Sequence, residues 1–242
     1  MIGVFDSGVG GLSALRTIRA AAPQADLFYF ADEANLPYGE KTEDELLSLS
    51  RAAVSRLLSA GADAILCACG TVSSTALPTL VRECPVPLYG ILDPLAEATA
   101  CASAEKGGAI LVLGTRATVE RGALEAKIRD FATHAPLLTH PCPDFVMLAE
   151  EKTALSEGEI LRRVSATLAP FLGKKIGAIA LGCTHFSCLA REIGSLFPRA
   201  AIVDGANEGA RAALASLPAA ALVGTGQTTL TTSGDRALRF DM

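Results

Sequence analysis

Aromatic residues are scarce in this chain: its 242 residues include no tryptophan, three tyrosines and nine phenylalanines. So thin a supply disfavours the stacking platforms that bind single-stranded nucleic acid or sugars. Charge is also sparse, at 19% of residues, and the net charge of −5 leaves no basic excess. With a pI near 5.3, the chain lacks the electrostatic footprint of a nucleic-acid partner. A small anionic substrate stays open, because a local site can oppose the global charge. No apolar run approaches the roughly 20 residues of a membrane-spanning helix. The start, MIGVFDSGVGG, has no basic stretch and meets Asp6 early, so it does not read as a signal peptide. The seven cysteines are odd in number and irregularly spaced, unlike a disulfide framework. These absences together predict a reduced, soluble, cytoplasmic protein with no membrane partner.

Half of the residues are apolar, enough for a sizeable core. Short apolar runs alternate with helical patterns, and strands are expected at 1–5, 26–31, 62–67, 87–91, 109–113, 136–140, 177–181 and 201–203. This alternation predicts βα units, parallel sheet and helices on both faces. Leu12, Leu15 and Ile18 form an apolar stripe after the first strand. Thr42 with Glu45, and Ser156 with Glu159, read as capping boxes. Gly61 is a helix stop, and Asp93-Pro94 a helix start. The tail TTLTTSGDRALRF alternates, with a turn at 233–235, and predicts a terminal hairpin or edge strand. Strand–loop–helix units at 2–18 and 62–80 are echoed near 109–128 and 177–196. The fold class expected is α/β, with two similar α/β domains, mostly parallel sheets and a ligand cleft between strand ends. The division expected is 1–92 plus 204–242 against 93–203.

Two cysteines stand in look-alike settings. Cys69 lies in AILCACGT (64–71) and Cys183 in AIALGCTH (178–185), each after an apolar run and each near a Thr. A carbon held between two thiols can lose a proton to one and gain a proton from the other, which inverts a stereocentre without a cofactor. A buried cysteine is ordinarily inert, but a helix start next to each of these favours the thiolate. His185 supplies an acid–base partner beside Cys183, whereas Cys67 and Cys188 read as core.

Other residues fit around this pair. In DSGVGG (6–11) the glycines let the backbone approach a ligand, and the spacing fits neither dinucleotide nor P-loop fingerprints. Asp6 suits a hydrogen-bonding or proton role rather than an anion site. Tyr38, in the Pro37–Gly39 turn, is placed to cover a pocket or bond a substrate. Thr115 and Thr118 suit a carboxylate as well as a helix cap, and Glu150 would ordinarily be a solvated helix residue. A zinc site from Cys67, Cys69, Cys183 and His185 is the competing reading, although the spacing lacks the usual two-residue gap. A pyridoxal Schiff base lacks a well-placed lysine.

These motifs converge on a family. FDSGVGGL (5–12), YFADEANLPYG (29–39), ACGT (68–71), the Thr115–Thr118 loop, CPDFVMLAE (142–150) and LGCTHF (181–186) resemble bacterial glutamate racemases, of the cofactor-independent aspartate/glutamate racemase superfamily. The resemblance implies Cys69 and Cys183 as the two bases, assisted by Asp6 and His185, with Glu150 orienting the His185 side. It implies that Ser7, Pro37, Tyr38, Gly39, Gly70, Thr71, Thr118 and Thr184 hold substrate, with no cofactor and no metal. It further implies D-glutamate for peptidoglycan as product, and a homodimer as a common assembly. Two departures stand out: Gly70 replaces an expected Asn, and Phe186-Ser187 replaces an expected Tyr-Pro. The racemase reading predicts that Gly70→Asn preserves or raises glutamate turnover. Aspartate as the substrate, or a non-catalytic glutamate-binding role, are the alternatives.

Overall fold

The computed structural model describes residues 1–132, 134–235 and 238. Among these residues nine strands form two sheets, and every strand pairing is parallel. The strands are β1 (Ile2–Asp6), β2 (Leu27–Ala31), β3 (Ala64–Cys67), β4 (Leu88–Tyr89), β5 (Ala109–Gly114), β6 (Leu137–Pro141), β7 (Ile176–Leu181), β8 (Ala201–Asp204) and β9 (Thr228–Thr232). The first sheet has the order β4-β3-β1-β2-β9 and the second β6-β5-β7-β8. The expected α/β class with parallel sheets is therefore borne out.

Helices cover both faces of each sheet, because side chains alternate along a strand and both sets are apolar. In the first sheet, Ile2, Val4 and Leu66 join one buried cluster, while Phe5, Ile65 and Cys67 join another on the opposite face. The second sheet repeats the scheme, with Leu111, Leu113 and Ile179 on one side and Ile110, Val112 and Ala180 on the other. Helix α1 (Leu12–Ala21) buries Leu15 and Ile18 against the first sheet, with Leu12 partly buried beside them. Helix α2 (Glu43–Ser59) opens on the predicted capping box, in which Thr42 N donates to Glu45 Oε2 at 2.8 Å and Glu45 N donates to Thr42 Oγ1 at 3.3 Å. Two short helices, α3 (Gly70–Thr75) and α4 (Leu77–Glu83), follow β3.

Helix α5 (Leu92–Lys106) begins before the predicted Asp93 cap, so Asp93 lies inside its first turn, where it pairs with Lys127 instead. Beyond β5 come α6 (Arg116–Arg121) and α7 (Ala123–Phe131), then α8 (Asp144–Glu150) after β6. Helix α9 (Glu157–Leu168) starts as predicted at Ser156, whose hydroxyl accepts Glu159 N at 3.3 Å. Helix α10 (Ala190–Leu196) precedes β8. Helix α11 (Gly205–Ser216) packs Ala206, Ala210 and Ala213 into the core beneath the first sheet. The predicted terminal element is an edge strand, since β9 runs parallel to β2; residues 236, 237 and 239–242 of the expected hairpin lie outside the described residues.

Strand order positions the site. In the first sheet β1 is flanked by β2 on one side and β3 on the other, and in the second β5 is flanked by β6 and β7. Consecutive connections thus leave in opposite directions at β1/β3 and at β5/β7. Loops part at such switch points and leave a crevice at the strand C-termini.

Candidate active site

Both switch points deliver their loops to one cavity of about 300 Å³, at the lower end of small-molecule sites. The first sheet contributes Ser7 after β1 and Cys69 after β3, and the second contributes Thr115 after β5 and Cys183 after β7. The two thiols therefore line the same space from different sheets, although both are almost fully buried.

Their surroundings differ. Cys69 caps α3 by position and its Sγ lies 3.7 Å from Ser7 Oγ. Burial, reinforced by the nearby charge of Asp6, pushes its pKa up to about 12. The lowering expected from a helix start is thus overridden at Cys69, since one short helix terminus offsets little of the cost of desolvating a thiolate. Cys183 instead lies 3.9 Å from His185 Nδ1, while His185 Nε2 lies 2.8 Å from Glu150 Oε1. Burial alone draws the imidazole pKa down, but its bonds to Cys183 and Glu150 more than reverse this, and it stands well above its ordinary value. The ring thus links the Glu150 carboxylate to the Cys183 sulfur, a chain suited to handling a proton at this wall of the cavity. Glu150, at the end of α8, is thereby withdrawn from solvent into a charge pair rather than left on a solvated face.

Asp6 is fully buried at the end of β1. Its Oδ2 accepts Gly8 N at 3.1 Å and Gly11 N at 3.0 Å, and its Oδ1 accepts Thr184 Oγ1 at 3.0 Å. Burial still holds its carboxyl above the usual range, against the His185 charge and these bonds. Asp6 acts on Cys69 through its charge, and its hydrogen bonds go elsewhere.

Of the residues assigned to substrate, Ser7, Pro37, Tyr38, Gly39 and Thr71 line the cavity. Tyr38 does so with its ring, because its hydroxyl donates to Asp32 Oδ2 at 2.6 Å. Thr118 and Thr184 are buried behind the wall: the hydroxyls of Thr118 and Thr115 lie 3.0 Å apart, and Thr184 is engaged by Asp6. Gly70 does not line the cavity either. A Cβ on Gly70 would fall 1.9 Å from the carbonyl oxygen of Gly182, a backbone contact that bears on the expected tolerance of Gly70→Asn and that the sequence did not reveal. The glycines of 6–11 likewise approach protein rather than ligand, for a Cβ on Gly10 would meet His185 N at 2.5 Å.

Among the described residues no three His, Cys, Asp or Glu side chains group as metal ligands, so the four-ligand zinc arrangement does not assemble. The sequence reading missed Leu36, Glu40, Arg116, Pro143 and Val146 as cavity residues, whereas Thr115, read as suited to a carboxylate, does line the cavity. Thr71 Oγ1 and Thr115 Oγ1 lie 3.2 Å apart, one hydroxyl from each sheet's loops. Arg116 follows the helix-capping Thr115 directly, which was its one legible signal. It is exposed and has no ion pair among the described residues.

A family profile described as Asp/Glu/Hydantoin racemase matches residues 11–213. The chain belongs to this racemase family. It is 39% identical over 204 residues to the glutamate racemase of Aquifex pyrophilus, covering 84% of this chain and 78% of the relative. It is 36% identical over 237 residues to the glutamate racemase of Thermus thermophilus, covering 97% and 87%. A solved structure of glutamate racemase from Thermus thermophilus in complex with β-chloro-D-alanine superposes with a TM-score of 0.82 at 35% identity, covering 97% of this chain and 88% of that one. The resemblance read from the motifs is thus borne out, and the racemase family places the chain among isomerases. No helix among the described residues is long and apolar enough to cross a membrane.

Proposed function

We propose that this racemase-family protein interconverts L- and D-glutamate by cofactor-independent proton transfer between Cys69 and Cys183. The observation that carries the reading is that both thiols line one small cavity from different sheets, Cys69 beside Ser7 and Cys183 beside His185. Cys69, with a pKa near 12, is a thiol at neutral pH. Cys183 faces the imidazolium of His185, its acid–base partner.

In one direction Cys183 Sγ takes the Cα proton, and the C–H electron pair remains on Cα, delocalised into the α-carboxylate. Cys69 gives its S–H proton to the opposite face. The product enantiomer leaves, Cys183 is now the thiol and Cys69 the thiolate, and the opposite enantiomer runs the same steps in reverse. Proton count is conserved, so no cofactor is required by the balance. The developing carboxylate charge needs donors fixed in advance; the Thr71 and Thr115 hydroxyls are the side chains suited to it. Arg116 is the exposed cation at the same cavity and pairs the distal carboxylate of a dicarboxylic substrate. Ser7, Pro37, Tyr38 and Gly39 complete the walls. In this reading the two units, 1–92 plus 204–242 and 93–203, are domains that meet at the substrate. The product serves peptidoglycan synthesis in the cytoplasm.

Proton NMR of the purified protein with L-glutamate in D₂O, run beside a chiral assay without added cofactor, tests the reading. Loss of the Cα–H signal with appearance of D-glutamate supports it. Turnover of aspartate alone, or glutamate binding without exchange, would replace it.

A further inference from the structure

A glycine adjoins each thiol, Gly70 after Cys69 and Gly182 before Cys183. These two glycines touch across the sheets. A Cβ on Gly70 would lie 1.9 Å from the Gly182 oxygen, 2.9 Å from its carbonyl carbon and 3.5 Å from Cys183 Cα. Further along the same loop, a Cβ on Gly10 would lie 2.5 Å from both His185 N and the Thr184 carbonyl carbon. Residues 182–185 thus rest against two glycines supplied by the loops after β3 and β1.

Neither contact yields by rotating a side chain, because the opposing atoms are backbone. Gly182 is pinned by its N–H to Leu113 O at 2.8 Å, and the turn after Cys69 by Ser73 N to Cys69 O at 2.9 Å. Nor does conformation require glycine at either place, since Gly10 and Gly70 are not among the positive-φ glycines. What each supplies is space.

We infer that Gly10 and Gly70 form a side-chain-free seat for the Cys183 loop, so that backbone contact sets the separation of the two thiols across the substrate. They are positioning residues, and the inference rests on the two-thiol reading above. A methyl at either place forces the loops apart. A displacement of about 1 Å is enough to cost on the order of 10²-fold in rate. The failure has a distinctive form. The thiolate still removes the Cα proton, but the opposite thiol no longer reaches the carbanion. The first sulfur, having traded its proton for a solvent deuteron, returns that deuteron to the original face, giving exchange with retention.

The test compares wild type, Gly70→Ala and Gly10→Ala as purified full chains, with L-glutamate in D₂O. Cα–H loss, D-glutamate formation, kcat, KM and Tm are followed together. The seat predicts folded variants whose racemisation kcat falls about 10²-fold, with KM changed by less than about threefold and a raised ratio of exchange to inversion. Either folded variant with wild-type kcat and ratio overturns it, as does a fall in rate with an unchanged ratio. Where one variant fails to fold, the other decides. Failure of both to fold makes the contacts global stability elements and also overturns the seat. A wild type that exchanges nothing sinks the racemase reading itself, and the seat with it.

Discussion

Thr184 Oγ1 donates to Asp6 Oδ1 at 3.0 Å, so a residue just past β7 of the second sheet is bonded to the last residue of β1 in the first. The same carboxyl accepts the Gly8 and Gly11 amides that lead into α1. One buried group therefore joins the start of the first helix to the loop that carries Cys183. Burying a carboxyl is costly unless donors replace its water, and these three are what make the placement tolerable.

Thr184→Val keeps the shape and removes the donor. We expect a loss of about 1–3 kcal/mol in stability, the cost of leaving a buried polar group short of a partner. Thr184→Ser should recover most of it. Urea unfolding midpoints measure both, and an unchanged midpoint in Thr184→Val would show that the bond adds nothing.

The thiol pair makes a stricter demand. Cys69→Ala and Cys183→Ala should each abolish racemisation of glutamate, because a single base cannot serve both faces of the same carbon. A chiral assay on either variant is decisive: one that turns over normally ends the two-base mechanism. Cys67 is the comparison. It is buried, its Sγ faces the Cys69 carbonyl, and it does not line the cavity. Cys67→Ala should racemise glutamate with only a modest loss of stability.

How much of this was legible in the sequence depends on the range of the interaction. The Thr42 and Ser156 caps are local, and both form as read. The strands follow from short apolar runs, and their ends place Cys69 and Cys183 in comparable positions. The order of strands is a long-range property, and with it the convergence of Arg116, Pro143 and Val146 on the cavity. No pattern within α6 or α8 announces that these side chains share a wall with Tyr38. Gly70 was read as a residue that had lost a substrate donor, whereas its environment is the Gly182 peptide, a contact that exists only once the two sheets have docked. Of the two roles open to Tyr38, covering a pocket or bonding substrate, the ring takes the first; Asp32, which claims its hydroxyl, is six residues away and carries no marker of that role.

Arg116 occupies the first position of α6, where the helix dipole disfavours a cation. With no ion pair among the described residues, its presence is better explained by an anion arriving in the cavity. Arg116→Gln should raise KM for glutamate about tenfold, a value discounted for an exposed pair, while leaving kcat nearly unchanged. Arg116→Lys should restore part of the affinity. The dependence of KM on ionic strength should flatten in Arg116→Gln. Equal KM values for wild type and Arg116→Gln would remove this residue from substrate recognition.

Glu150 tests the charge state of His185. The His185 pKa is raised, so its imidazolium persists above the ordinary imidazole range and is lost as pH rises through the folded value. The stabilisation that the Glu150–His185 pair gives the fold has the same sign, complete below the unfolded imidazole pKa and lost on the alkaline side. If the imidazolium itself is the acid–base partner on this face of the cavity, kcat/KM must fall on an alkaline limb set by His185. Glu150→Gln keeps an acceptor 2.8 Å from Nε2 but removes the charge. It should therefore move that limb to lower pH and reduce kcat at neutral pH by about tenfold, within the range of an acid–base partner weakened rather than deleted. A pH profile of kcat/KM for the two proteins measures the shift. A limb that stays in place, or moves upward, would mean that Glu150 merely packs against the ring and does not sustain its charge.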